Sequence, residues 1–416
     1  MDTLKLGKNK YAEKIRSLIL LGLTCLFPLN QQLHLKPFPS VDGFIIDYLI
    51  VKISLPELLL VLLTVLQIGA IREFLRNSIL TRYTSTGFLI LSVLTTIFSN
   101  YKLLSIYENL IILLLILNLG VFLKYSKDLK LDLFVKSVKF WLILLSILGF
   151  FQFFLQKSVL NNYALFGEFP YSEDYYHVKQ KGFLFEDLIP PYAIFSHSNI
   201  FGGFVLLAIM FLGISKKDSF YFHTLTVVLL LIIGSLNIFL CYLLWVVLTK
   251  LPKLKNLYVS FSKTVFLLFI IYFLQLFLSL NYFSYSGNFS LYRRLYMFDL
   301  SINLLVENPK YLFFSGYYNY FGIAKESLYI YEIVRFFQPP HNLFNLLIWQ
   351  YGIVFLISFL VLLNKAFQKI PQDLVKFLSV ILVASMFDHF FLTNHQLKFF
   401  VFLIIPYSLI AKNSIK

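Results

Sequence analysis

The sequence predicts an all-α fold, a polytopic bundle of about 12 transmembrane helices. Three observations predict it: 59% of the 416 residues are hydrophobic, only 14% are charged, and apolar runs recur along the whole chain. Average soluble chains carry about 25% charged residues, and a chain this apolar could not cover its surface with polar groups in water. The composition therefore excludes a soluble globular protein, a disordered chain, collagen and a coiled coil.

Ten apolar runs are each long enough for one crossing, which needs about 20 mostly apolar residues. They are roughly 16–33, 47–69, 80–98, 103–123, 138–156, 192–214, 263–282, 342–363, 375–393 and 397–411. The run 220–249 is too long for one ordinary crossing and short for two, because each half would span roughly 22 Å. Two crossings there place 24 of the 36 Lys and Arg residues on the cytoplasmic side, against 21 with one. The positive-inside rule therefore favours twelve crossings with both termini cytoplasmic.

The same distribution accounts for the net charge of +15, because the basic excess lies on the cytoplasmic side and orients the protein. A nucleic-acid partner is not needed to explain it, and we expect none. Nothing divides residues 1–416 into separate domains, since internal repeats and linkers rich in Ser, Gly or Pro are missing. We expect one integral-membrane domain.

Two outer loops are long. The first, 157–191, is polar and aromatic, and the second, 283–341, carries several cations and ends at a histidine. A loop as long as the second is unusual without internal structure, and residues 292–306 have a helical spacing of apolar side chains. The sequence therefore predicts a helix lying along the outer membrane surface.

The second outer loop is the best candidate for a chemical site. Arg293 and Arg294 are adjacent, and their guanidinium groups offer forked donors that match the oxygens of a lipid diphosphate. The alternative is that both side chains reach lipid headgroups at the interface. His341 follows Pro339 and Pro340, whose fixed φ angles stiffen its position. A neutral imidazole there could act as a base, and the alternative is a capping or interfacial histidine.

Other polar residues cluster at the predicted outer ends of the crossings. His197, Ser198 and Asn199 begin one apolar run, and Asp388 with His389 lies beside the last outer turn. No HExxH pattern or tight His/Asp spacing supports a metal, and both cysteines, Cys25 and Cys241, lie inside apolar runs. We therefore expect no metal and no cofactor.

Two carboxylates keep a different class of function open. Glu57 and Glu108 fall in or near predicted crossings, where a carboxylate must be paired, protonated or placed in a wet cavity. A transporter or flippase of polysaccharide or polyprenyl lipid would depend on such charges. It would also be expected to have broken helices in corresponding halves of the chain, and no such symmetry is visible.

Several segments together resemble the superfamily of O-antigen ligases and O-antigen polymerases, bacterial polytopic membrane glycan ligases and polymerases. His341-Asn342-Leu343-Phe344 with Gly352 is similar to the family's HNxxL…G signature. Arg294, Asn308-Pro309, Gly316 and Phe321 are similar to its series in the large outer loop, and His197-Ser198-Asn199 resembles its HPN element, with serine for proline. The resemblance spans roughly residues 195–410, while the first half matches in hydropathy alone.

The resemblance implies a metal-independent glycosyltransferase on the outer face of the bacterial cytoplasmic membrane. It implies a polyprenyl-diphosphate-linked glycan as donor and a lipid, a protein or another lipid-linked glycan as acceptor, in surface polysaccharide biosynthesis. By the resemblance, Arg294 would hold the diphosphate leaving group and His341 would activate or orient the acceptor hydroxyl. We also expect substrate contacts from Arg293, Arg335, Asn342, His197 and Asn199.

The chain departs from the family pattern at two positions. Ser235-Leu236-Asn237 stands where many members have a Ser-Arg pair, and Gln350 replaces the usual glutamate. The second phosphate-binding arginine must then come from elsewhere, and Arg293 and Arg335 are the candidates. The sequence leaves ligase and polymerase open, as well as a non-enzymatic partner in glycan export, which would tolerate loss of Arg294 and His341.

Overall fold

A computed structural model describes residues 10–36, 40–41, 44–45, 47–77, 79–124, 130–161, 167–168, 171, 185, 188–250, 259–285, 289–313, 315–316, 318–327 and 338–413. Within these residues the fold is all-α, as the composition predicts, with eighteen helices against four strands of two or three residues each.

The helices follow one another along the chain with short connections. They are α1 (Lys10–Leu26), α2 (Leu55–Leu66), α3 (Ile68–Asn77), α4 (Ile79–Phe98), α5 (Lys102–Lys124), α6 (Leu131–Leu155), α7 (Ser198–Ile214), α8 (Phe220–Ile233), α9 (Leu236–Lys250), α10 (Phe261–Ser279), α11 (Phe289–Glu307), α12 (Lys310–Phe313), α13 (Asn319–Ser327), α14 (Leu343–Tyr351), α15 (Ile353–Phe367), α16 (Gln372–Ser385), α17 (Phe390–Thr393) and α18 (His395–Asn413). The strands form two antiparallel hairpins. They are β1 (Gln32–His34) with β4 (Lys52–Ser54), and β2 (Ser40–Val41) with β3 (Phe44–Ile45).

Helix α7 lies at the centre of the fold. Fifteen of its 17 residues are buried, and it contacts α6, α8, α9, α16 and α18. Apolar side chains cover all its faces, which is the pattern of a helix surrounded by other helices. At Gly203 a Cβ atom would come within 2.8 Å of the Phe390 ring, so only glycine allows α17 to approach this closely. This contact sets the distance between the start of α7 and the turn before α17.

Three helices are long and apolar enough to cross a membrane, judged by length and composition over the described residues. They are residues 102–122, 131–155 and 261–279. Helices α2 and α3 would satisfy the same criteria together, but they are bent by 67° at Gln67. Six further apolar helices are shorter, at 10–17 residues. The described part of the chain is thus a helical protein with membrane-compatible segments, and the number of crossings stays a prediction.

Some predicted crossings are interrupted by backbone turns that hydropathy does not register. Run 342–363 is divided at Gly352, whose φ of +84° cannot continue a helix. Run 375–393 ends its helix at Ser385, and the chain turns before α17 begins. Run 192–214 becomes helical only at Ser198, and run 47–69 starts with a strand.

Two other expectations agree with the helix boundaries. Run 220–249 forms two helices, α8 and α9, separated at Gly234, whose φ of +65° caps the first of them. The helix expected over 292–306 is present as α11, Phe289–Glu307. Its position along a membrane surface stays a prediction. Most of the first outer loop, 157–191, lies outside the described residues.

Candidate functional site

A buried carboxylate, Asp388, is the centre of the candidate site. It lies in the turn between α16 and α17, with 5% of its surface exposed. Side chains from three other segments point to it: Asn199 from α7, Arg294 from α11 and His341 from the segment before α14. These residues are separated by up to 189 positions in the chain, so the site exists only in the folded bundle.

Arg294 connects α11 to this turn through several donors. Its Nη2 lies 3.3 Å from Asp388 Oδ2, and its Nε donates to the Phe387 carbonyl oxygen at 3.2 Å. Its Nη1 donates to the side chain of Ser290, one helical turn earlier. The side chain keeps 21% exposure, so part of the guanidinium remains accessible to a ligand.

His341 faces the other carboxylate oxygen. Its Nδ1 lies 3.4 Å from Asp388 Oδ1, and this nitrogen is buried and has no hydrogen-bond partner among the described residues. Its Nε2 lies 3.2 Å from Gln338 Oε1. Burial lowers the pKa of His341 below its ordinary value, and the nearby Asp388 carboxylate opposes this only in part. The imidazole is therefore neutral at pH 7, as a base must be.

Asn342 has a structural position next to the histidine. Its Oδ1 accepts from Phe344 N at 2.9 Å and Asn345 N at 3.4 Å, so it is the N-cap of α14. Its Nδ2 donates to Gln275 Oε1 at 2.6 Å, which ties the start of α14 to α10. This capping fixes the helix start, and with it the position of His341.

His197 and Asn199 play different parts at the start of α7. The His197 ring caps the helix, because its Nδ1 accepts from Asn199 N at 3.1 Å. The Asn199 side chain instead donates to Asp388 Oδ2 at 3.2 Å. Of the two predicted contacts in this element, the structure brings Asn199 to the carboxylate and uses the His197 ring as a cap.

Arg293 lies beside Arg294, and its Nε is buried without a hydrogen-bond partner among the described residues. Burial lowers the pKa of Arg293, the charge of Arg294 lowers it further, and Asp388 partly compensates. Two guanidinium groups thus share one carboxylate, which leaves a local excess of positive charge. Such an arrangement favours an anionic ligand. Arg335, the third arginine predicted for the site, lies outside the described residues.

His389 is a second imidazole at the same turn. Its ring centroid is 5.0 Å from that of His341, and the edge of Tyr48 packs against it at 5.6 Å. The sequence placed Asp388 and His389 near the last outer turn but gave them no role. Their proximity to His341 could not be read from the chain, because the two elements are 47 positions apart. The available signal was a carboxylate at the end of an apolar run, which requires a cationic partner.

The carboxylates that kept a transport function open both have partners. Glu57 forms a capping box with Ser54 at the start of α2. Glu108 Oε2 lies 2.8 Å from Lys398 Nζ, a pair that joins α5 to α18 and is 14% and 9% exposed. Each charge therefore has a structural explanation.

Among the described residues, His341, Asp388 and His389 form a group whose ligand atoms lie within 4.8 Å of one another and could hold a metal ion. No protein-family model matches the chain, and no curated protein and no solved structure matches it. The geometry of the site and the resemblance of the motifs are therefore the basis for any assignment of function.

Proposed function

We propose that the chain is a membrane glycosyltransferase of the O-antigen ligase and polymerase type. It would transfer a glycan from a polyprenyl diphosphate to a lipid, a protein or a second lipid-linked glycan. The observation that carries the proposal is that Arg294 and His341, the two residues singled out by the resemblance, both contact Asp388. A cation and a neutral imidazole held by one buried carboxylate are the groups that this transfer needs.

His341 would be the base. Because an ionised carboxylate can only accept, Asp388 favours the tautomer with the proton on Nδ1, which leaves the lone pair on Nε2. Gln338 then presents its amide nitrogen to Nε2, a 180° rotation of the side-chain amide. As the acceptor hydroxyl attacks C1 of the sugar, Nε2 takes the hydroxyl proton. The new C1–O bond forms while the C1–O bond to the diphosphate breaks.

Arg294 would bind the leaving group. Negative charge develops on the diphosphate as the C1–O bond breaks, and a fixed cation lowers the barrier by roughly 3 to 4 kcal/mol. Arg293 would supply the second cation, since the chain lacks an arginine at Asn237 and the buried Arg293 Nε has no partner in the described structure. Metal chemistry has no part in this scheme, because the two guanidinium groups carry the electrostatic stabilisation.

The proposed location is the outer face of the bacterial cytoplasmic membrane. The distribution of Lys and Arg supports it, because twelve crossings with cytoplasmic termini put 283–341 and the turn at Asp388 on the outer side. A polyprenyl diphosphate presents its headgroup at that interface, where a half-exposed arginine and a buried base can meet it.

The proposal is tested by glycan transfer with the purified protein in lipid. The donors are polyprenyl-diphosphate oligosaccharides and the products are sized by mass spectrometry. We expect transfer by the wild type and a loss of at least about 100-fold in His341→Ala and Arg294→Ala. A ladder of products indicates a polymerase, and a single addition to another acceptor indicates a ligase.

Matched controls separate chemistry from folding. His223→Ala removes an imidazole whose partners are Asp218 and Tyr242, and Arg72→Ala removes an exposed guanidinium from α3. Both should retain wild-type transfer. If no product forms with any donor and acceptor, or if the His341 and Arg294 variants match the wild type, the site is not catalytic.

A further inference from the structure

The buried group of His341, Asp388 and His389 suggests a second use of the same turn. We propose that these three side chains form a Zn²⁺ site, and that bound Zn²⁺ and the Arg294–Asp388 ion pair exclude each other. Two imidazoles and one carboxylate are a common ligand set of zinc with an open fourth position. Metal binding itself does not depend on the proposed transfer reaction, and inhibition of transfer would be its consequence.

The orientation of His389 supports the proposal. The Thr393 hydroxyl donates to the His389 carbonyl oxygen at 3.2 Å, and its single hydrogen is thereby used. The same oxygen lies 2.7 Å from His389 Nδ1, so Nδ1 must carry the proton and donate. The lone pair of His389 is therefore on Nε2. A hydrogen bond that fixes the tautomer in this way is what metal-ligating histidines usually have.

His341 offers its lone pair to the same place in its second tautomer. As the structure orients Gln338, Oε1 accepts from His341 Nε2–H at 3.2 Å. Nδ1 then carries a lone pair directed at Asp388 Oδ1, 3.4 Å away, with no hydrogen between them and no partner among the described residues. Two facing acceptors in a buried site repel each other unless a cation lies between them.

The distances fit a site that contracts on binding. The three ligand atoms lie within 4.8 Å of one another, whereas tetrahedral bonds of about 2.0 to 2.2 Å to zinc bring ligand atoms to about 3.4 Å apart. Side-chain shifts on the order of 1 Å are enough. The contacts that hold Asp388 at present, at 3.2 to 3.4 Å, are long for hydrogen bonds to a charged group and are readily exchanged.

Arg294 is the competitor. It shares Asp388 with the metal position, and a dication would be repelled by both Arg293 and Arg294. Arg294 has alternative acceptors at the Phe387 carbonyl oxygen and at Ser290, so it can leave the carboxylate. In the presence of Zn²⁺ the base is occupied and the leaving-group cation is displaced. The proposed transfer would stop.

The test is direct metal binding by the full chain, purified in detergent with a tag that contains no histidine. Zn²⁺ is titrated by calorimetry and Co²⁺ by its visible absorption, without donor or acceptor. We expect one ion per chain. His389→Asn should weaken binding by at least about tenfold, and Thr393→Val by about 10- to 100-fold through the lost tautomer control. His395→Asn, in the next helix, is the matched control and should bind as the wild type does.

Arg294 gives the opposite prediction. Arg294→Gln should tighten Zn²⁺ binding by at least about tenfold, while Arg294→Lys, which keeps the charge, should not. X-ray absorption of the Zn²⁺-loaded wild type should show two imidazole ligands, a readout that needs no variant to fold. The inference is overturned if the wild type binds no metal, if His395→Asn weakens binding as much as His389→Asn, or if Arg294→Gln leaves affinity unchanged. None of these outcomes depends on whether glycan transfer occurs.

Discussion

Asp388 determines how the groups around it behave. A carboxylate with 5% exposure is costly in an apolar protein, and here two guanidinium groups, an amide and an imidazole compensate for it. The sequence could identify Arg294 and His341 because each stands in a recognisable local pattern. It could not identify the carboxylate they share, because a contact over 47 or 94 positions leaves no local pattern.

The first prediction concerns the pH dependence of the proposed transfer. The His341 pKa lies below its ordinary value near 6.5 because of burial, and the charges of Arg294 and Arg293 lower it further. A base must be neutral, so the rate should fall as the pH drops through this pKa, below 6.5. Arg293→Gln removes one of the lowering charges, and the acid limb should move to higher pH. The measurement is a pH–rate profile in a metal chelator.

Arg293→Lys is the control, because it keeps the charge and should leave the acid limb where it is in the wild type. An acid limb that stays in place in Arg293→Gln, or moves to lower pH, contradicts His341 as the titrating base.

At the scale of elements, apolar length predicted helices well and their interruptions poorly. Run 220–249 was read correctly as two helices, and α11 was expected from apolar spacing. The break at Gly352 escaped because it depends on tertiary contact: a Cβ there would lie 2.6 Å from the Phe313 carbonyl oxygen. The interruptions matter, because the turn after Ser385 and the segment before Leu343 carry Asp388 and His341.

The second prediction concerns the joint between α5 and α18. Lys398→Met leaves Glu108 buried without its cation, and the free energy of unfolding should fall by about 3 to 5 kcal/mol. The double variant Glu108→Gln/Lys398→Met removes both charges and should recover most of this loss. Unfolding by denaturant in detergent micelles measures both.

The same pair separates two functions. A structural ion pair predicts that the double variant keeps glycan transfer near the wild-type rate. A transporter whose mechanism depends on Glu108 would lose its activity in the double variant even though the fold is restored. Loss of transfer with normal stability would therefore count against the role given to this pair.

For the whole molecule, composition alone established the helical class, and charge distribution gave a direction to the chain. The described helices include three that satisfy the length and hydropathy expected of a single crossing, and others that are shorter or bent. Short helices cross a membrane only where neighbours cover their ends, which is a property of the bundle and not of a sequence window.

The third prediction tests the twelve-crossing arrangement. Ser284→Cys is expected outside and Lys217→Cys inside, in a background in which Cys25 and Cys241 are replaced by serine. A membrane-impermeant maleimide should label position 284 on intact cells, and position 217 only after permeabilisation. Both positions labelled on intact cells, or the reverse order, would show that the assigned sidedness is wrong.

The order of the site residues along the chain has a consequence for how the protein is made. Asn199, Arg294 and His341 are all synthesised before Asp388, so a nascent chain holds two adjacent arginines with no counter-charge until its last outer turn has been inserted. A product terminated before Asp388 lacks the residue that joins α7, α11 and α14. Such a fragment has no assembled centre and carries an uncompensated basic cluster. Completion of translation and maturation of the centre are therefore coupled, and truncated chains are inert substrates for membrane proteolysis.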